Sequence, residues 1–175
     1  TQQRTGPLHG ALVLDLVGHD VPLAGLGNLL FITGMESDPA FASILRTVSS
    51  DGLTVVPTLN HYIGDMSDHH IFRVHRRPYL FLSCGRWQHY HSETDTPEKL
   101  NYEKMAAIAA LVLELTERMA ESALTGPFEG YDTTPAELEF MRSALGPMLT
   151  ALGIELNGRA DIDEVARLFV GRLHL

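Results

Sequence analysis

The chain has 175 residues, enough for one domain with a proper hydrophobic core. Its formal net charge of -9 argues against a nucleic-acid partner, because a phosphate backbone requires a basic footprint. No apolar run approaches the roughly 20 residues needed to span a bilayer, so no membrane role is expected.

In chain order, Gly10 to Val17 is a nearly continuous apolar run, read as a buried strand that Gly18-His19-Asp20 ends. Leu29 to Thr33 is a second run of this kind. Asp38-Pro39 then opens a helix, with Asp38 as the capping residue and Pro39 in the first turn, closing near Ser49 before Asp51-Gly52. Leu53 to Thr58 and Tyr79 to Ser83 are the third and fourth strands, with a short helix between them over Ser67 to His75. From Thr96-Pro97-Glu98 a long helix runs to about Ser122, with Leu100, Ala107, Leu111 and Leu115 near one face. Gly126-Pro127 breaks the pattern. Two further helices follow, one from Thr134 as its cap with Pro135 to about Leu152 and one from Asp161 to about Leu173, and Gly146-Pro147 is expected to kink or split the first.

Strands alternating with helices predict a three-layer α/β domain, with a mixed, mostly buried sheet flanked by helices. It spans residues 1–124, and residues 125–175 form a helical extension packed on it. In such sheets, functional groups gather on loops beyond the strand ends. The single cysteine, Cys84, excludes an intrachain disulfide and any multi-cysteine zinc site. Its apolar run makes it a buried core thiol, compatible with an exported or a cytoplasmic protein.

Histidine is over-used, with nine copies, several of them between residues 61 and 91. That pattern fits either a solvated surface or a metal or proton-transfer site. Three segments carry candidate chemistry. Asp15 is a carboxylate at the end of an apolar strand, where it is costly unless paired, hydrogen-bonded to loop amides or metal-bound. Ser67-Asp68-His69-His70-Ile71-Phe72 opens a short helix, for which Ser67 and Asp68 also serve as ordinary caps. In Tyr90-His91-Ser92-Glu93-Thr94-Asp95-Thr96, an imidazole is followed by an acid four residues later and then by a helix start. That suits either a metal ligand with an orienting partner or a capped surface loop.

Taken together, the three segments resemble, in order and spacing, the carboxyl-terminal half of the dizinc aminopeptidase family. This family includes bacterial leucyl aminopeptidases, glutamate carboxypeptidases, glutaminyl cyclases and a receptor branch. Its pattern is an Asp-Met-Val-Gly strand end, a later Ser-Asp-His-x-x-Phe, and Tyr-His-Thr-Pro-x-Asp-Thr opening a long helix. Here these read Asp15-Leu16-Val17-Gly18, Ser67 to Phe72, and Tyr90 to Thr96. The continuation Pro97-Glu98-Lys99-Leu100-Asn101-Tyr102-Glu103-Lys104 is similar too, so the resemblance covers residues 8 to 121. Ser92-Glu93 departs from the family's Thr-Pro, and Arg76-Arg77 precedes Pro78 where small or apolar residues are usual.

The resemblance implies a zinc-dependent exopeptidase that removes amino-terminal residues from peptides, with two zinc ions in the intact enzyme. Asp15 and His91 would be metal ligands. Asp68, His69 and Tyr90 would orient ligands or bind substrate, with Asp68 mostly buried beside Asp15 or His91. The family's other ligands and its general-base glutamate lie upstream of the Asp15 position, so this chain would supply no catalytic base and would be inactive alone. A glutaminyl cyclase-like acyltransferase and a non-catalytic scaffold are the alternatives. Tyr90 before His91, with Asp95-Thr96 after it, favours the peptidase, and retention of both ligands speaks against a scaffold. The chain opens abruptly at Thr1, close to a strand apolar on both faces that belongs inside a sheet. Its expected partners are therefore a peptide substrate and either the missing amino-terminal half or a second copy paired along the bared edge.

Overall fold

A computed structural model describes residues 8–173. Four strands, β1 (Ala11–Leu14), β2 (Leu29–Thr33), β3 (Thr54–Thr58) and β4 (Tyr79–Ser83), form one sheet in the order β1-β4-β2-β3. β1 is parallel to β4 and β2 is parallel to β3, whereas β2 and β4 run antiparallel, so the sheet is mixed. Every residue of β2 and β4 is buried. These two central strands are the continuous apolar runs of the sequence, as expected of strands covered on both faces.

β1 is shorter than its apolar run and only partly buried, which corrects the reading of Gly10 to Val17 as a buried strand. Among the described residues one side of it is unpaired, the bared edge expected of this run without further neighbours. Leu14 is 43% exposed, because no described strand pairs with the outer side of β1. Across the sheet, the edge strand β3 tolerates Pro57, which has no N–H to offer a ladder.

The helices are α1 (Phe41–Thr47), α2 (His69–Val74), α3 (Tyr102–Glu121), α4 (Thr134–Ala151) and α5 (Arg159–Leu173). Asp38 does not cap α1 as expected: the helix starts at Phe41 behind Ala40, Pro39 lies outside it, and Asp38 Oδ1 instead accepts the Ala40 N–H at 2.9 Å in the turn before it. Its second oxygen does more distant work. It takes the Thr125 and Gly126 N–H groups at 2.6 and 2.7 Å, tying the α3–α4 connection to the start of α1. The long helix begins later than the sequence suggests. Pro97–Lys99 forms a separate 3-10 turn, Leu100 is extended, and α3 starts behind Asn101, whose side chain accepts the Lys104 N–H. The buried stripe of α3 is Ile108, Leu111, Leu115 and Met119, so Ile108 rather than Ala107 is at its centre. α4 runs unbroken through Pro147 instead of splitting there, with Thr133 rather than Thr134 as its cap residue. Among the described residues, no helix is long and apolar enough to cross a membrane.

α4 packs on β3, and α5 closes against α4 and the turn Asn60–Tyr62. Leu145, Ile162 and Phe169 from these helices join Leu30, Phe31 and Leu82 of the sheet in one buried cluster. The turn after β2 is a tight junction. Gly34 has φ 96°, and a Cβ there would come within 2.7 Å of the Tyr79 ring and carbonyl, so only glycine fits. Just beyond it, Ser37 Oγ donates to the Tyr79 carbonyl at 2.8 Å and accepts the Tyr79 N–H at 2.9 Å. This fixes the start of β4.

Candidate functional site

The parallel pairing of β1 with β4 brings the loops carrying Asp15 and His91 out at the same end of the sheet. Leu14 pairs with Leu82, the Asp15 N–H reaches the Leu82 carbonyl at 3.1 Å, and the Cys84 N–H reaches the Leu16 carbonyl at 3.1 Å. Between those two bonds the chain turns sharply at Leu16, whose φ is 56°. This left-handed backbone is unfavourable for a side chain that cannot hydrogen-bond locally.

Asp15 is half-buried and lines a pocket. The pocket floor is mainly apolar, made by Phe31, Phe81 and Ile63 with Thr33 and Ser83 among them, and the exposed Met66 joins Ser67, Arg86 and Tyr90 at its rim. Ser67 Oγ donates to Asp15 Oδ2 at 3.0 Å. The Arg86 guanidinium lies over the Tyr90 ring, 5.2 Å from its centroid. His91 follows Tyr90 and meets that ring edge-on at 4.0 Å. It is exposed, with φ 54°.

Asp68 departs from expectation. It is exposed and makes no side-chain capping bond to α2. The residue that touches Asp15 is its neighbour Ser67. Successive residues of a helix point about 100° apart, and α2 docks with His69 inward, which turns Asp68 to solvent. His69 has no exposed surface. Its ring stacks on Phe81 at 4.3 Å and lies 5.7 Å from Tyr79, and its Nε2–H donates to the Gly64 carbonyl at 3.1 Å. Burial pushes its pKa below the ordinary histidine value, so it is a neutral support beneath Phe81 rather than a pocket wall.

A second cluster positions the Asp15 loop from behind. Lys104 is 2% exposed, and its ammonium donates to the His19 carbonyl at 2.9 Å and the Gly27 carbonyl at 2.8 Å. The Asn101 N–H reaches the Gly18 carbonyl at 2.8 Å, and its side-chain amide reaches Asp20 Oδ1 at 2.7 Å. The start of α3 therefore clamps both sides of the segment between β1 and β2. His19 stacks on Trp87 with centroids 4.8 Å apart. Burial, reinforced by the Lys104 charge, holds the His19 imidazole down at a pKa of about 4. Cys84 is buried, and burial raises the pKa of its thiol, which suits an inert core residue.

The sequence reading missed Ser67, Arg86 and Lys104. Ser67 was visible only as a potential cap, and Lys104 only as part of the helix resemblance. Nothing in the local pattern marked Arg86. No protein-family model, no characterised protein and no solved structure matches the chain.

Asp15 Oδ1 and both His91 ring nitrogens have no hydrogen-bond partner among the described residues, so they are chemically suitable metal donors. Among the described residues, however, no three His, Cys, Asp or Glu side chains gather into a metal site. Stable zinc sites use three or four protein ligands. Asp15 and His91 therefore offer free donor atoms, but the described residues do not complete such a site.

Proposed function

We propose that this chain forms part of a zinc-dependent exopeptidase of the aminopeptidase type, in which Asp15 and His91 each contribute a metal ligand. The observation that carries this reading is backbone strain. Among the described residues, only Leu16, Arg76 and His91 combine a side chain with positive φ. Two of these three are a candidate ligand and the residue directly after the other. Left-handed backbone at a non-glycine residue costs about 1–3 kcal/mol and concentrates at functional sites.

The pocket supports the same reading. An apolar floor under a carboxylate suits a peptide whose first side chain is apolar, with its amino end towards Asp15. Bound zinc would polarise the scissile carbonyl and lower the pKa of a bound water. Ser67 fixes the orientation of the Asp15 carboxylate, and the Lys104–Asn101 clamp holds the loop that presents it. The remaining ligands and the general base would come from polypeptide outside this chain.

The test is hydrolysis of aminoacyl chromogenic amides by this chain joined to the polypeptide encoded immediately upstream. Zinc-dependent release of amino-terminal residues is expected, abolished by a chelator and by either Asp15→Asn or His91→Ala. Release that survives both substitutions, or no zinc-dependent release at all, refutes the assignment.

A further inference from the structure

Arg86 forms no ion pair among the described residues, as is also true of Arg76, Arg77, Arg142 and Arg167, and of these it is the one that lines the pocket of Asp15. Arg46, Arg73, Arg118 and Arg159 each meet a carboxylate, on Glu139, Asp65, Glu114 and Glu137 respectively. Arg86 has no such partner among the described residues, yet its guanidinium is held over the Tyr90 ring at the rim of the pocket. A guanidinium stacked on an aromatic face keeps its N–H fork free at the edge, where it accepts a carboxylate in a bidentate pair. The one carboxylate lining the same pocket, Asp15, is occupied by Ser67 and forms no ion pair with Arg86. The pocket thus presents a negative group, an apolar floor and a positive group to one ligand.

We propose that Arg86 is a specificity determinant that selects ligands combining an apolar side chain with a free carboxylate. Such a ligand is a free apolar amino acid or a dipeptide that begins with one. The side chain enters between Phe31, Phe81 and Ile63, the amino end faces Asp15, and the carboxylate pairs with Arg86. The proposal rests on the peptidase reading only for the orientation of the amino end. It narrows the substrate class from peptides in general to short ones with a free carboxylate, because a blocked peptide offers Arg86 no terminal charge.

The test is calorimetric binding of leucine, leucinamide, leucyl-glycine and leucyl-glycinamide to the 175-residue chain in the presence of a chelator. At least one acid is expected to bind about tenfold or more tightly than its amide, the contribution of a charge-assisted pair. The leucine and dipeptide arms show which carboxylate is read. Arg86→Gln should abolish the difference between acid and amide, and Arg86→Lys should keep part of it. Equal affinity for acid and amide in the native chain, discrimination that survives Arg86→Gln, or no binding of any of the four overturns the proposal. The acid–amide comparison in the native chain requires no variant to fold. A parallel titration with zinc separates the two ideas. A zinc-dependent gain that Asp15→Asn removes bears on the peptidase reading alone, and its absence leaves the chelator result standing.

Discussion

Ser67 and Asp15, 52 residues apart in the chain, meet through a 3.0 Å hydrogen bond from hydroxyl to carboxylate. The bond joins the segment before α2 to the end of β1. It also removes one of the two carboxylate oxygens from free rotation, which matters for a group intended to hold a ligand in one direction.

Ser67→Ala should therefore cost about 1 kcal/mol of stability, the net value of a typical intramolecular hydrogen bond. Its effect on zinc-dependent activity in the joined protein should be larger, about tenfold or more, as for orienting partners at metal sites. Denaturant titration beside a kinetic assay checks both. A stability loss with activity unchanged would reduce Ser67 to a tether.

His91→Gly should stabilise the chain while removing the candidate ligand. The residue is exposed with φ 54°, and glycine relieves the left-handed strain by about 1 kcal/mol. Its ring contributes only the edge contact with Tyr90, so little packing is lost. A urea midpoint that moves downward would show that the ring, and not function, holds this conformation.

Lys104→Met should destabilise the chain by about 2–4 kcal/mol, since it strands two carbonyl acceptors that an ammonium now serves. The His19 and Gly27 carbonyls face this group from the loop between β1 and β2. Hydrogen exchange should quicken across residues 18–28 more than in α4. A neutral substitution would mean that desolvating the ammonium already offsets its hydrogen bonds.

Acid should weaken the fold before most carboxylates titrate. His19 and His69 both have folded pKa values lowered by burial, His19 to about 4. The unfolded chain therefore binds more protons, and their contribution is fully present above the ordinary histidine value near 6.5. For His19 it is lost as pH falls from there to about 4, and then levels off. His19→Phe keeps the stacking surface for Trp87 and should flatten part of this decline in thermal melts between pH 7 and 4. An unchanged slope would assign the acid sensitivity to other groups.

The central strands were legible because burial on both faces leaves an unmistakable trace. β2 coincides with the run Leu29 to Thr33 and β4 with Tyr79 to Ser83. The starts of α4 and α5 were legible to within two residues, through Thr-Pro and Asp signals that act locally. That the loops carrying Asp15 and His91 leave the sheet at one end was decided by the parallel pairing of β1 with β4, which neither strand's own sequence states.

What the sequence determined by itself, then, was the α/β class, the continuous apolar runs and the loops that carry the polar groups. All of these depend on neighbours within one turn or one strand. Only the tertiary structure decided which strand β1 pairs with, because an apolar run reads the same whichever strand lies beside it. The outward Asp68, the Ser67–Asp15 bond and the burial of Lys104 depend on how α2 and α3 rotate when they dock, and that rotation is set by packing against residues far away in the chain.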